Sequence, residues 1–189
     1  MTLQNTGSLA GRMLVAMPQM QDPRFARTVI FLCAHTAEGA MGLVVNRLLD
    51  QLSFPDLLEQ LGLETTPRCE GIHVHFGGPV ESGRGFVLHT PDYMQDSTLL
   101  VDEQVALTAT VDVLRAIADG NGPRRSMLAL GYAGWGAGQL DSEIRENAWL
   151  IAPSDDELLF GEDLASKWEM AVARIGIDFG MLSPDAGHA

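Results

Sequence analysis

Hydrophobic residues follow two rhythms along this chain. Unbroken apolar runs mark strands buried on both faces, and runs spaced by three and four mark helices. The first rhythm is clearest over residues 27–35, where Val29, Ile30, Phe31 and Leu32 are consecutive and β-favouring. Arg12-Met-Leu-Val-Ala16 is a shorter run of this kind, ended by Pro18. Thr36-Ala-Glu-Gly39 predicts a loop of about four residues returning the chain into Met41-Gly-Leu-Val-Val-Asn46, a hairpin. Further strands are predicted over 73–76, 85–89, 98–101, 126–130 and 148–152.

The helical rhythm appears four times. Over 53–61, Ser53 is placed to cap, Pro55 fits the first turn and Gly62 is a stop. Over 103–119, Asp102 is the expected N-cap, Val111, Leu114, Ile117 and Ala118 continue one apolar face, and Gly120-Asn-Gly-Pro123 ends it. From Gln139, Leu140 and Ile144 share a face. Over 162–175, Leu164, Trp168, Ala171 and Ile175 do so. Residues 64–71 read as loop, 153–156 as a turn, and Leu158-Leu-Phe160 as an apolar patch. Helices do not alternate regularly with strands, which excludes a doubly wound sheet. The pattern predicts one α+β domain over 11–180 with a mixed, largely antiparallel sheet, a flexible start (1–10) and a flexible tail (181–189).

Composition narrows the function classes. The longest apolar run, Val29-Ile-Phe-Leu-Cys-Ala34, is far below the ~20 residues of a membrane span. No basic residue precedes Arg12 and no long apolar stretch follows, so the start does not read as a secretory leader. Two cysteines, Cys33 and Cys69, are too few for a disulfide framework. These features predict a cytoplasmic protein without membrane association. The net charge is −13, with 6 basic against 9 acidic residues in 1–95 and 6 against 16 in 96–189. Such a field repels phosphate backbones, and Arg124-Arg125 is too small a basic patch to reverse it, so nucleic acid is an unfavoured partner.

Candidate chemistry is sparse. His73 and His75, two apart on a strand, share a face that a metal would need, with His89 or Glu81 as third ligand. Two histidines are an incomplete set, and surface or packing positions explain them as well, so no metal and no cofactor is expected. Cys33 with His35 suggests a nucleophile beside a base, but Cys33 lies in the most apolar run, where a free cysteine is a small core residue. Gly77-Gly-Pro-Val80 offers backbone N–H groups to a ligand with Arg84 nearby, or a tight hairpin that needs glycine. No Gly-x4-Gly-Lys-Ser/Thr loop is present, and Gly134, Gly136 and Gly138 do not match a dinucleotide fingerprint. The densest stretch is 131–149, a strand that runs into a glycine-rich turn opening a helix, with Tyr132, Trp135, Gln139, Glu143, Asn147 and Trp149.

Taken in order, these pieces resemble the YqgE/AlgH family of bacterial proteins. The carrying motifs are Leu14-Val-Ala-Met-Pro18 with Asp22 and Phe25; Gly39-Ala-Met-Gly-Leu-Val-Val-Asn46; Gly77-Gly-Pro-Val80; Phe86-Val-Leu-His89; and Leu130-Gly-Tyr-Ala-Gly-Trp135 with Gly138-Gln-Leu140, Glu143, Asn147 and Trp149. The resemblance implies a branched sheet curling into a pseudo-barrel with flanking helices. The family carries the label of a transcriptional regulator, and His73-Val-His75 departs from its usual aromatic or apolar strand. Its motifs single out the polar residues Asn46, His89, Gln139, Glu143 and Asn147. With Gly77, Gly78, Tyr132 and Trp135 they form the candidate ligand-binding set, with pairing of buried polar groups as the plain alternative. The leading expectation is a non-enzymatic binding or regulatory protein with a protein or small-molecule partner. The alternatives are an enzyme using Glu143 as acid/base with Gln139 and with His89 or Asn46 positioning, and a transcriptional regulator, which the charge disfavours.

Overall fold

The computed structural model describes residues 8–176; residues 1–7 and the expected tail 181–189 lie outside the described residues. Ser8 and Leu9, from the expected flexible start, hydrogen-bond to the carbonyl and the ring Nδ1 of His35. The strands are β1 (Arg12–Ala16), β2 (Val29–Thr36), β3 (Gly39–Val44), β4 (Val74–Phe76), β5 (Val80–His89), β6 (Leu99–Leu100), β7 (Ala106–Thr108), β8 (Ser126–Trp135) and β9 (Trp149–Pro153). The helices are α1 (Phe54–Gln60), α2 (Val111–Asp119), α3 (Gln139–Arg145), α4 (Asp156–Phe160) and α5 (Lys167–Ile175), with 3-10 turns at Pro67–Gly71 and Leu164–Ser166. None of them is long and apolar enough to cross a membrane.

The strands form one sheet in the order β6-β7-β5-β8-β3-β2-β1-β9, antiparallel throughout except that β4 pairs parallel with β8. β8 is the fork. It pairs with β5 along most of its length, with β4 over Leu128 to Leu130, and with β3 over Ala133 to Trp135. The two ends of the sheet curl towards each other. Gly11, just before β1, faces the carboxylate of Asp102 in the β6–β7 turn, and Val105 shares a core with Ala152 of β9. The protein is therefore α+β, with a branched, largely antiparallel sheet curled into a pseudo-barrel.

Alternation explains why so many strands are apolar on both faces. Met13, Val15, Val29, Phe31, Phe86, Leu88, Met127 and Ala129 point into the barrel, where Leu158 and Leu159 of α4 and Trp168 and Val172 of α5 join them. The residues between them point outward. Val87, Leu128 and Leu130 pack under α1 and α2, while Leu14, Ile30 and Leu32 pack with Trp135, Leu140 and Trp149. Burial of one such side chain is worth about 1.5–3 kcal/mol, so covering both faces makes these strands the stable part of the fold.

Several local expectations change, among them the loop expected over 64–71, which holds the first 3-10 turn, and the strand expected over 85–89, which starts at Val80. The helix expected over 103–119 begins only at Val111. Asp102 does cap backbone N–H groups, those of Gln104 and Val105, but they close a turn into β7. Leu107 lies opposite Leu88 in the β5–β7 ladder, and that packing overrides the helical period. The strand expected to end at Leu130 continues to Trp135. The β2–β3 loop is two residues, with Thr36 opposite Gly39. The apolar patch after Pro153 is helix α4, capped by Asp155, which accepts from Leu158 N at 2.9 Å. The last helix starts at Lys167, after the second 3-10 turn.

Gly77-Gly-Pro-Val80 is not the turn of a paired hairpin, because β4 and β5 flank β8 on opposite edges. The segment crosses β8 backbone against backbone. A Cβ on Gly77 would overlap the carbonyl oxygen of Gly131, and one on Gly78 the backbone of Tyr132. Gly131 has φ +78°, which lets β8 bend at this crossing.

Candidate functional site

The glycine turn of the 131–149 stretch is Gly136-Ala-Gly138, and the helix after it is tied down by its own polar residues. Glu143 is half-buried. Its Oε1 accepts from the indole N–H of Trp135 at 3.0 Å and of Trp149 at 2.9 Å, and its Oε2 accepts from Gln139 Nε2 at 2.9 Å. Gln139 Oε1 accepts from the Gly136 amide at 2.9 Å. Asn147 takes the left-handed conformation (φ 65°) that ends α3, and its side chain is exposed. The polar face expected to line a pocket thus holds two buried tryptophans and a turn together.

The other members of the candidate set lie elsewhere. Asn46 follows β3 and pairs with the start of β2, its Oδ1 accepting from Val29 N at 3.0 Å and its Nδ2 donating to the Arg27 carbonyl at 3.0 Å. His89 is buried, with Nδ1 2.8 Å from the Thr90 carbonyl and Nε2 2.7 Å from Thr108 Oγ1, and burial lowers its pKa. His89 pairs with Ser126 at one end of β8, and Glu143 sits beside Trp135 at the other, about 30 Å along the strand at roughly 3.3 Å per residue. A shared Gln139/Glu143/His89 pocket is therefore not formed. Tyr132 and Trp135 do line a common feature, a shallow open groove floored by Met41 and Phe86, where Arg84 is engaged with Glu81 at 3.7 Å.

The nucleophile and metal readings also separate. A β-bulge between Leu32 and Ala34 interrupts the alternation. Cys33 packs into the barrel, where burial pushes its thiol pKa far up, while His35 accepts from Leu9 N and lies 3.3 Å from Asp141. Among the described residues no group of three or more His, Cys, Asp or Glu side chains is placed to hold a metal.

What the histidines do line is a cavity of about 240 Å³. Phe54 of α1, Ile117 of α2 and Leu159 of α4 form its apolar wall, with Met127 and Leu128 of β8. His73, His75, Ser126 and Glu162 supply the polar groups. His75 Nδ1 lies 3.0 Å from the Leu128 carbonyl oxygen. A carbonyl only accepts, so Nδ1 carries the proton and Nε2 is an acceptor with no hydrogen bond among the described residues. Burial, chiefly, lowers the His75 pKa to about 4, with the Leu128 hydrogen bond opposing and the nearby charge of Lys167 adding to it. The ring is neutral at pH 7.

Lys167 stands behind this wall. It is buried with no carboxylate partner among the described residues, donating to the carbonyls of Val45 at 3.1 Å and Leu159 at 3.2 Å, and burial lowers its pKa to about 8. The cavity escaped sequence reasoning because its wall comes from α1, α2, β8 and α4, far apart in the chain. The one local signal was His73-Val-His75, two histidines at strand spacing.

A family profile described as AlgH-like matches residues 13–180. A UPF0301 protein of Rhodospirillum rubrum is 60% identical over 186 residues, covering 98% of this chain and 97% of the relative. A UPF0301 protein of Paracoccus denitrificans is 52% identical over 190 residues, covering 99% and 100%. The fold is similar to the solution structure of the AlgH protein from Pseudomonas aeruginosa, with TM-score 0.80, 45% identity and 96% of both chains covered. A crystal structure of a Corynebacterium diphtheriae protein matches with TM-score 0.71 at 20% identity, covering 93% and 91%, a likeness of fold alone.

Proposed function

The chain belongs to the AlgH-like family, and on that premise we propose that it is a non-enzymatic binding protein of the bacterial cytoplasm, with its ligand seated in the cavity at His75. The observation that carries this reading is the cavity's construction. Polar and apolar groups share its lining, and one of the polar groups is a neutral imidazole with a fixed tautomer, as a site that orients a ligand requires. Around it the described residues bring no cysteine and no metal set to the cavity. Gln139 and Glu143 of the 131–149 stretch are engaged in internal hydrogen bonds with the two indoles and the glycine turn, which is a scaffold's use of them. A regulatory effect would follow from what occupies the cavity. The net charge of −13 makes direct DNA binding a poor route to it.

Gly71 gives a clean way to test the site. It lines the cavity, has an ordinary backbone conformation, and a Cβ placed on it meets nothing within 4 Å. Gly71→Leu should fill the mouth without straining the fold. Titrating the labelled protein with small amine, phenol and indole fragments should perturb the amide NMR signals of residues 73–75, 126–128 and 159–164, and Gly71→Leu should abolish those shifts. Perturbations confined to the Tyr132/Trp135 groove, or none anywhere, would refute the assignment.

A further inference from the structure

The cavity does not stand alone. A second hollow lies beside it, lined by Leu49, Leu52, Pro55 and Val74, and the two share Leu48, Ile72 and His73. Leu48 is 44% exposed between them, an apolar side chain left in water at the centre of a concave surface. It is held there by its backbone: residue 48 bridges to His75, and Leu49 N donates to the Val74 carbonyl at 2.9 Å. The ionised side chains lining the two hollows are all of one sign, Glu162 in the first and Asp50 and Glu70 in the second. All three are exposed, and none is in an ion pair among the described residues. Among the described residues no lysine or arginine lines either hollow; Arg24 and Arg47 line the next depression, on the far side of Leu48 and Asp50.

The geometry points to an extended segment of a partner protein as the occupant, seating one bulky apolar side chain in the cavity and lysine or arginine residues against Asp50, Glu70 and Glu162. This rests on the binding reading above and names its partner. The cavity, at about 240 Å³, is below the usual 300–1,000 Å³ of a small-molecule pocket but ample for a leucine or phenylalanine anchor. The continuation past Leu48 gives the flanking residues somewhere to lie. The rim's sign sets the partner's charge: like-charge contacts disfavour wrong partners, and opposite charges speed encounter. A second copy of this chain, at −13, has the wrong sign. So does its own segment 177–189, which holds Asp178 and Asp185 and neither lysine nor arginine.

The test is selection of random octapeptides displayed on phage, using the full chain as bait. The expected result is enrichment of peptides with one large apolar residue flanked by lysine or arginine. Binding of the selected peptide, made synthetically and followed by fluorescence anisotropy, should weaken at least tenfold in Gly71→Leu. It should weaken at least tenfold in the Glu70→Lys/Glu162→Lys double variant at low salt, and by less at high salt. Circular dichroism and thermal melting of each variant separate lost binding from lost folding. No enrichment, enrichment of acidic peptides, or binding indifferent to both variants would overturn the inference. If peptides fail while the fragments bind at His75, only the peptide partner falls. If both fail, the binding site falls with it.

Discussion

Replacing Glu143 by alanine tests whether this carboxylate is scaffold or chemistry. Its two oxygens accept three hydrogen bonds, two of them from the indoles of Trp135 and Trp149. Those tryptophans are 8% and 3% exposed and pack edge to face with centroids 6.0 Å apart. Alanine leaves both N–H groups without an acceptor, at about 1–3 kcal/mol each, and removes an i, i+4 pair with Gln139 worth about 0.2–0.5 kcal/mol. Glu143 is half-buried, so water reaches part of the vacated space and the lower half of the range applies. The expected loss is about 2–4 kcal/mol, a fall in melting temperature of about 5–15 °C for a chain of this size. Urea unfolding followed by tryptophan fluorescence and by circular dichroism reads it, the first probe being local to the lost bonds. Glu143→Gln keeps one carbonyl oxygen that can accept from both indoles as Oε1 does, so it gives up only the Gln139 bond and the charge and should lose well under half as much. Glu146→Ala, one turn away and exposed, should stay within about 0.5 kcal/mol. A Glu143→Ala protein as stable as the parent would refute the scaffold reading. A gain in stability would point instead to a strained functional carboxylate.

Three further outcomes are expected. Lys167 has its pKa lowered from 10.5 to about 8, so the fold binds fewer protons there than the unfolded chain between those values. Stability from this group is lowest below pH 8 and rises towards pH 10.5, by about 3 kcal/mol at roughly 1.4 kcal/mol per unit. The difference between the pH–stability curves of the parent and Lys167→Met should carry that slope, and parallel curves would contradict it. Gly78→Ala, whose Cβ would overlap the Tyr132 backbone, should fail to fold or melt far lower, whereas Gly71→Ala, facing open space, should melt with the parent. Cys33 and Cys69 are free and buried, so a thiol reagent such as Ellman's should titrate neither in the native protein and both in guanidinium; fast native labelling would show that one of them is reachable.

Much of the fold was legible in the chain. The doubly apolar runs at 12–16 and 27–35 became β1 and β2, buried on both faces, because alternation feeds one set of side chains to the barrel and the other to the outer layers. Ser53 accepts from Asp56 N at the start of α1, and Gly120 ends α2 with φ +83°, as their residue types require. These are local signals, carried by residue types and spacings a few positions apart. The ordered family motifs held as well, although what their polar residues do was not readable from them. Gln139, Glu143 and Asn147 were recognisable as a helix face, but only the arrival of Trp135 and Trp149 at that face showed where the hydrogen bonds of Gln139 and Glu143 go, while Asn147 ends the helix in a left-handed turn.

Tertiary structure decided the remainder, each time through a partner distant in sequence. Residues 106–108 have a helical period, yet they are a strand because β5 offers an open edge and the barrel needs Val105 and Leu107. β8 runs through Gly131 because Gly77-Gly78 crosses it there and β3 waits beyond with a free ladder. The cavity depends on residues 54, 75, 117, 127 and 159 meeting, and no pattern of period two or 3.6 encodes that. Periodicity records which face of an element is buried. What that face is buried against, and what space is left over, is settled only when the elements pack.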